Sequence, residues 1–251
     1  MRYWKDPGQH SGAETFFSPN KKVHPVSHSV RNHLQLEIAE YDAVIRRWIP
    51  GYETMIDVAA SAVASIDPRL VVDLGSGTGA LAEAILQHES VGQVELLDID
   101  PEMLTQARTR VARFGERALC SLRSFDAPLP ECDAFSASLS LHHIPTIEAK
   151  TDLFSRAFAA LRPGGVLVNA DATMPVDEAE QEPLYARWVE HQVANGVEEA
   201  RAWEQFAEWA EEDTYLPLAE ELAALQSVGF EAEQVWNDGP IGVVVARKSV
   251  L

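Results

Sequence analysis

The stretch LVVDLGSGTG, from Leu70 to Gly79, decides the fold of this 251-residue chain. An apolar strand runs into three glycines at alternate positions, and the helix-forming residues 80–88 follow. Such glycines let a ligand approach the backbone closely, and the first amides of the next helix point at that ligand. Asp73 adds a carboxylate at the end of the strand. That charge would repel a phosphate and attract an ammonium group.

Strand and helix patterns alternate after the glycine loop. We expect strands at 94–97, 118–124, 134–141 and 166–170, helices between them, and a last helix at 218–227. The turn Asn237–Pro240 separates two β-rich runs, which predicts a closing antiparallel hairpin. The order predicts an α/β fold, a Rossmann-like three-layer sandwich around a seven-stranded, mostly parallel sheet with an antiparallel last strand. Ligands of such sheets bind beyond the carboxyl ends of the strands.

The chain before the glycine loop predicts a separate N-terminal part. Residues 1–29 are rich in Gly, Pro, Ser and His, and apolar spacing predicts a helix from Val30 to Trp48. We expect an N-terminal arm and helix at 1–50, which could close the pocket or contact a second subunit in a homodimer. An α/β domain at 51–251 follows. Its acidic helical insertion at about 176–213 predicts a lid and contains the aromatic residues Tyr185, Trp188, Trp203, Phe206 and Trp209.

The composition excludes several classes of partner. The net charge is −19, from 39 acidic and 20 basic side chains. So acidic a surface repels nucleic acid and anionic membranes. No apolar run reaches membrane-spanning length, and residues 1–5 lack the apolar core of a signal peptide, so we expect a cytoplasmic protein. The two cysteines and the histidines of the arm match no standard metal spacing, so we expect no metal.

Several motifs, in order, resemble those of the class I S-adenosylmethionine-dependent methyltransferases. The resemblance covers about 69–248. Asp73-x-Gly75-x-Gly77-x-Gly79 is similar to the first motif of that family. Leu97–Leu104 is similar to the second and Phe125–Ala127 to the third, while Leu139–Pro145 and Leu161–Gly165 are also typical. The resemblance implies a methyltransferase domain that uses S-adenosyl-L-methionine (SAM) as its cofactor.

The same resemblance implies roles for single residues. The glycine loop would hold the methionine end of SAM, Asp98 both ribose hydroxyls, and Asp126 the adenine amino group. A ribose presents two adjacent hydroxyl donors, which one carboxylate can accept. The expected cofactor contacts are Tyr52, Asp73, Gly75, Ser76, Gly77, Gly79, Asp98, Ile99, Met103, Asp126, Ala127 and Ser138.

A second resemblance lies upstream. The segment Tyr41–Tyr52 is similar to part of the carboxy-S-adenosylmethionine synthases, in which the Tyr corresponding to Tyr52 helps to cover the cofactor. That family holds the added carboxylate with an Arg before its last helix. Here Gln205 or Phe206 stands at that position, with Arg201 nearby. We therefore expect methyl transfer rather than carboxyl-transfer chemistry.

His142 and Asp171 are the candidate catalytic residues. Each follows or ends a strand at the crevice, and a similar pair serves as base and orienter in sugar O-methyltransferases. Our hypothesis is that His142 deprotonates an acceptor hydroxyl while Asp171 fixes its tautomer; a structural His142 stays open. The expected function is methyl transfer to a small-molecule acceptor, at a hydroxyl oxygen. The alternatives are a carboxy-S-adenosylmethionine synthase-like enzyme, a non-catalytic SAM binder, and a dinucleotide oxidoreductase, since Gly75-x-Gly77-x-x-Ala80 also fits the looser dinucleotide pattern.

Overall fold

The computed structural model of the chain describes residues 40–250. Within that range, strands and helices alternate as the sequence predicts. The strands are β1 Leu70–Leu74, β2 Gln93–Asp98, β3 Ala118–Leu122, β4 Cys132–Ser138, β5 Leu161–Ala172, β6 Glu231–Asp238 and β7 Ile241–Arg247. The helices are α1 Tyr41–Trp48, α2 Tyr52–Ala64, α3 Ala80–Leu86, α4 Pro101–Val111, α5 Ile147–Ala160, α6 Glu178–Ala194, α7 Glu199–Trp209 and α8 Leu218–Val228.

The strands form one seven-stranded sheet in the order β3-β2-β1-β4-β5-β7-β6. Strand β7 is antiparallel to both of its neighbours, and the other neighbouring pairs are parallel. The predicted sheet with its closing antiparallel hairpin is therefore confirmed. The strand order reverses between β1 and β4, which is where ligands of such sheets bind.

Helices cover both faces of the sheet because apolar side chains of the inner strands point both ways. In β1, Val71 packs with α2 and α3 on one face. Its neighbour Val72 packs with α5 and α8 on the other. The chain thus has the predicted three layers, and most residues of the inner strands are buried.

Several predicted strand limits differ from the structure by two residues, and two are wrong by three or more. Strand β4 ends at Ser138 rather than at Leu141, because Leu139 adopts a left-handed backbone with φ of 49°. A short 3-10 helix at Leu141–His143 follows. Strand β5 begins at Leu161 rather than at Val166, because Leu161 already pairs with Cys132 of β4.

The N-terminal predictions are tested only in part. Those for residues 1–39 lie outside the described residues, and α1 represents the end of the predicted helix. The region 176–213 forms α6 and α7, as a helical insertion requires. Across residues 40–250, no helix combines the length and the apolar character needed to cross a membrane. Both cysteines are free, Cys132 buried and Cys120 partly buried.

Candidate functional site

A cavity of about 580 Å³ opens at the carboxyl ends of β1, β2 and β4. This volume is in the range of small-molecule and cofactor sites. The glycine loop, the turns after β2 and β4, helix α1 and residues of α6 and α7 line it. The lining includes the predicted cofactor contacts Tyr52, Asp73, Gly75, Ser76, Gly77, Asp98, Ile99, Met103, Asp126 and Ser138. The structure thus brings together most of the residues that the sequence proposed.

The glycine loop is shaped to receive a ligand. Gly75 and Gly77 both have positive φ, 66° and 52°, which side chains rarely adopt. A Cβ on Gly77 would meet nothing within 4 Å, so this position faces open space. The Gly77 amide donates to Oδ2 of Asp98 at 2.7 Å. The loop and the end of β2 are therefore tied together beside the cavity.

Two predicted contacts do not line the cavity. A Cβ on Gly79 would lie 3.1 Å from Leu96 and 3.3 Å from Ala107, so this glycine allows α3 to pack closely on the sheet and on α4. The Ala127 amide donates to the Ser124 carbonyl at 3.2 Å in the turn after β3. Gly79 and Ala127 thus shape the loops beside the cavity, and a direct cofactor contact stays a prediction for both.

Asp73 has an unusual environment for a carboxylate. It is 1% exposed, and Oδ1 accepts a hydrogen bond from the Ser136 hydroxyl at 2.7 Å. Oδ2 is also buried and has no hydrogen-bond partner among the described residues. Burial raises the pKa of Asp73 to about 7. A buried acceptor of this kind beside a cavity calls for a cationic donor.

Asp98 and Asp126 lie further along the cavity. Oδ1 of Asp98 accepts from the Asp100 amide at 2.8 Å, and burial raises the pKa of Asp98 above its usual value. A carboxylate has about four lone-pair sites, so Asp98 can accept further donors. Asp126 is exposed at the mouth, where its amide donates to the Ser124 hydroxyl at 3.0 Å.

Helix α1 covers the site and is fixed at both ends. The Thr78 hydroxyl in the glycine loop donates to Oδ1 of Asp42 at 2.7 Å. At the other end, Nε1 of Trp188 donates to the Trp48 carbonyl at 2.6 Å. Tyr52 follows at the start of α2, and burial raises its pKa to about 12. Helix α1 and the start of α2 therefore bring Tyr41, Trp48 and Tyr52 to the cavity that the glycine loop also lines.

His142 and Asp171 form a buried pair at the edge of the cavity beyond the end of β4. Nδ1 of His142 lies 2.6 Å from Oδ1 of Asp171, and the His142 amide donates to Oδ2 at 3.0 Å. His142 lines the cavity, whereas Asp171 lies behind it. The carboxylate therefore fixes the ring through Nδ1 and leaves Nε2 for the cavity side.

The pKa values of this pair shift in opposite directions. Burial lowers the pKa of His142, but the Asp171 and Asp213 carboxylates raise it more, to about 9. Burial raises the pKa of Asp171, and the nearby His142 outweighs it, so this pKa lies below its ordinary value. Both shifts favour the charged forms of the two side chains.

Sequence reasoning missed Asp213 and Tyr215. Oδ1 of Asp213 lies 3.6 Å from Nε2 of His142 and 3.2 Å from Nδ1 of His143. The Tyr215 hydroxyl donates to Oδ2 of Asp213 at 2.9 Å, and the Thr214 amide donates to the His142 carbonyl at 2.8 Å. The sequence placed Asp213 at the end of an acidic helical region. Nothing in that pattern shows that the segment after α7 returns to the strand ends.

His142, His143 and Asp213 are also close enough to share a cation. Their ligand atoms lie within 4.8 Å of one another. The distances from Oδ1 of Asp213 to Nε2 of His142 and to Nδ1 of His143 are also those of ion pairs between an imidazole and a carboxylate. We do not identify these residues as metal ligands, and the absence of a metal stays a prediction.

The aromatic residues of the insertion divide into two groups. Trp188 and Trp209 line the cavity, whereas Tyr185 and Phe206 pack against them from outside, and Trp203 is 45% exposed. Packing therefore accounts for Tyr185 and Phe206, and contact of Trp188 and Trp209 with an acceptor stays a prediction.

Among the described residues of the region 176–213, no Arg lines the cavity. Arg201 is exposed and donates to both carboxylate oxygens of Glu208, at 2.6 and 2.8 Å. Gln205 and Phe206 do not line the cavity. Among the described residues, the one Arg or Lys side chain in the lining is Arg123, near the Asp98 end.

Comparison with known proteins shows similarity to methyltransferases and to carboxy-S-adenosyl-L-methionine synthases. The family model described as "Methyltransferase domain" matches residues 72–167. A carboxy-S-adenosyl-L-methionine synthase of Helicobacter pylori (strain Shi470) is 27% identical over 223 residues, which are 83% of this chain and 90% of that protein. A trans-aconitate 2-methyltransferase of Mycolicibacterium gilvum is 37% identical over 106 residues, 41% of this chain and 38% of that protein.

Solved structures show the same fold. An O-methyltransferase family protein from Burkholderia thailandensis superposes with a TM-score of 0.63 at 19% identity. The match covers 89% of this chain, and the chain spans 61% of the length of that protein. At this identity the likeness concerns the fold alone.

Proposed function

We propose that this chain, whose residues 72–167 match a methyltransferase domain model, is a class I methyltransferase that uses SAM as cofactor and transfers a methyl group to a hydroxyl oxygen of a small-molecule acceptor. The observation that carries the oxygen specificity is the buried His142–Asp171 pair, with Nδ1 and Oδ1 2.6 Å apart at the inner end of the cavity. A carboxylate-held imidazole is suited to accept a proton from a weakly acidic hydroxyl.

The residues of the cavity fit SAM. The unpartnered Oδ2 of Asp73 would accept from the ammonium group of the methionine end. The glycine loop, open at Gly77, gives that end room beside the backbone. Asp98 would accept from the ribose hydroxyls, Asp126 from the adenine amino group, and Tyr52 would cover the cofactor. Ser76, Ile99, Met103 and Ser138 would complete the contacts.

The chain's own residues would position the acceptor and move one proton. When bound, SAM supplies a methyl group on a positively charged sulfur, which keeps the electron pair of the broken carbon–sulfur bond. Asp171 holds Nδ1–H of His142, so Nε2 accepts the hydroxyl proton. The cover formed by α1 and the insertion excludes water and aligns the acceptor for in-line attack.

We assign residues 51–251 to the methyltransferase domain, with 176–213 as the insertion that covers the acceptor. Residues 1–50 would form a separate arm and helix, of which α1 contributes to the cover. With 39 acidic and 20 basic side chains, the chain favours a small molecule over nucleic acid or a membrane as partner.

A carboxy-S-adenosylmethionine synthase-like activity is the second candidate, since relatives of that name match most of the chain. The exposed, ion-paired Arg201 is against it, because that chemistry needs a cation for the added carboxylate.

Incubation of the chain with SAM and a panel of hydroxyl, amine and carbon acceptors tests the proposal. We expect release of S-adenosylhomocysteine together with an O-methylated product. Mass spectrometry of both the acceptor and the cofactor separates the candidates. A carboxylated cofactor would support the second candidate, and SAM binding without any turnover would support a non-catalytic binder.

A further inference from the structure

Aromatic side chains line the cavity next to His142. Their rings follow one another in a row, which runs from His142 through Tyr215, Trp188 and Trp209 to Trp48. Neighbouring ring centroids lie 5.4 to 5.8 Å apart, and all five side chains line the cavity. We call this set the ring wall. It begins at the side chain that we assign to proton transfer, which is where an acceptor hydroxyl would bind.

The rest of the lining around His142 favours an apolar ligand. Ile144 and Pro145 follow closely in the chain and also line the cavity. The hydroxyl protons of Tyr215 and Ser140 are bonded to a protein carboxylate and a protein carbonyl, at 2.9 and 2.7 Å. A ligand with many hydroxyl groups, such as a sugar, would therefore leave some of them unpaired against apolar walls, which costs free energy for each group.

The charges around His142 disfavour an acidic ligand. The carboxylates of Asp171 and Asp213 lie 2.6 and 3.6 Å from its two ring nitrogens. Within residues 40–250, Arg123 is the one Arg or Lys side chain in the lining, and it follows β3, which β2 and β1 separate from β4. Lys150 is buried in an ion pair and does not line the cavity. An acidic substituent near a neutral His142 would therefore face carboxylates without a described Arg or Lys to pair with.

The proton affinity of His142 distinguishes between classes of hydroxyl. Burial lowers the pKa of His142, but the carboxylates of Asp171 and Asp213 raise it more, to about 9. A phenolic hydroxyl has a pKa of about 10, close to that value, whereas an aliphatic hydroxyl is far less acidic. A base of this strength can therefore take the proton of a phenol at little cost in free energy.

We propose that the methyl acceptor is an uncharged aromatic hydroxy compound, whose flat ring packs against the ring wall and whose hydroxyl meets Nε2 of His142. This inference rests on the proposed function. The hydroxyl oxygen forms the bond to the methyl carbon while its proton passes to Nε2. The electron pair of the broken methyl–sulfur bond stays on sulfur.

Two parts of the cavity contribute separately to this specificity. The ring wall favours an aromatic ring over a saturated skeleton, because aromatic pairs in offset-stacked or edge-to-face geometry gain more than the buried area alone gives. The carboxylates beside His142 disfavour an acidic substituent, because like charges brought together away from water repel strongly. Two probes that change one property each can therefore test the two contributions.

Binding of three hydroxy compounds to the chain saturated with S-adenosylhomocysteine tests this inference. They share one two-ring skeleton: 2-naphthol, decahydro-2-naphthol with saturated rings, and 6-hydroxy-2-naphthoic acid with an added carboxylate. Calorimetry at neutral pH should show 2-naphthol binding about two- to tenfold more tightly than its saturated counterpart, the range for aromatic pairs. The naphthoate should bind about tenfold more weakly than 2-naphthol, or weaker still, since its charge is left unpaired.

The variant Trp209→Leu tests the ring wall directly. It should reduce the preference for 2-naphthol over decahydro-2-naphthol, because Leu keeps an apolar contact and removes a ring. Trp203→Leu is the matched control, since Trp203 lies on the same helix, is 45% exposed and does not line the cavity. It should leave all three affinities unchanged. An unchanged preference in Trp209→Leu would overturn the inference.

The wild-type comparison decides the inference without a variant. Equal affinity for 2-naphthol and decahydro-2-naphthol, a naphthoate affinity equal to or above that of 2-naphthol, or no binding of 2-naphthol would overturn it. Methylation of an aliphatic or acidic hydroxy compound, with none of 2-naphthol, would overturn it while leaving the proposed function intact. A titration with S-adenosylhomocysteine alone identifies failure of the proposed function, since absence of that binding would contradict the cofactor site.

Discussion

The Ser136 hydroxyl on β4 donates to Oδ1 of Asp73 on β1 at 2.7 Å, and Oδ2 of the same buried carboxylate lies beside the cavity without a partner among the described residues. Two neighbouring parallel strands thus hold one carboxylate in a fixed orientation. Burial raises its pKa to about 7, so a bound cation would favour its ionised form.

Asp73→Asn should weaken SAM binding about ten- to a hundredfold, because a charged hydrogen-bond acceptor for the ammonium group is lost. Titration calorimetry measures this, with Asp57→Asn, an exposed carboxylate on α2, as control. Unchanged affinity in Asp73→Asn would place the ammonium group elsewhere.

The same variant should change the pH dependence of stability. The folded pKa of Asp73, about 7, lies well above the ordinary value of an Asp carboxyl, so ionisation opposes folding. The wild type should therefore lose unfolding free energy, relative to Asp73→Asn, as pH rises from about 4 to 7. Denaturant unfolding at several pH values measures the difference. A constant difference across that range would contradict the raised pKa.

Turnover should rise with pH and level off near pH 9. Nε2 of His142 must be unprotonated to accept a proton, and its pKa is about 9 because two carboxylates outweigh the effect of burial. The groups that face this ring are Asp171 from β5, Asp213 and Tyr215 after α7, His143, and Lys150 of α5, which lowers the pKa. The pH profile of kcat/KM measures this rise, which is the ascending limb of the profile.

The variant Asp171→Asn distinguishes two causes of this rise in turnover with pH, the titration of His142 and the ionisation of the acceptor. Removing one carboxylate should move the limb to lower pH and reduce kcat, because the ring also loses its orientation. A limb at the same pH in both proteins would assign it to the acceptor.

His142→Ala should reduce kcat about a hundred- to ten-thousandfold, the usual range for a general base. SAM affinity should be unchanged, since His142 lies at the acceptor end. His143→Ala is the matched comparison and should have a much smaller effect on kcat. Equal turnover in the wild type and His142→Ala would leave His142 a structural role.

Turnover should persist in the presence of a chelator such as EDTA. We assign His142 to proton transfer and Asp213 to ion pairing with the two histidines rather than to metal binding. Loss of activity in EDTA, restored by a divalent cation, would show that His142, His143 and Asp213 bind a metal.

Lys150 and Glu221 form a buried ion pair between α5 and α8, with Nζ and Oε1 2.5 Å apart. Lys150→Met should destabilise the chain by about 3–5 kcal/mol, because Glu221 is left charged and buried. The double variant Lys150→Met/Glu221→Leu should recover most of that loss. Urea unfolding measures both, and equal destabilisation in the single and double variants would contradict the explanation.

Most of the cavity-lining residues that we propose as cofactor contacts could be predicted from the sequence. Strand and helix periodicity predicts the sheet, and the carboxyl ends of parallel strands must meet at one edge, so Asp73 and Asp98 are brought together by topology alone. The exact limits of β4 depend on the left-handed backbone at Leu139, which no residue preference signals.

The acceptor half could not be predicted in the same way. Asp213 and Tyr215 come from the segment after α7, and Trp48 comes from α1, so their positions depend on how the cover packs over the sheet. Tertiary contacts such as the bond from Trp188 to the Trp48 carbonyl decide that packing. Local sequence patterns do not predict these tertiary contacts.

Calorimetric titration of the chain with SAM, and separately with NAD, tests the central claim most directly. The account predicts saturable one-to-one binding of SAM, weakened by Asp73→Asn, and no binding of NAD. Binding of NAD with no binding of SAM would contradict it.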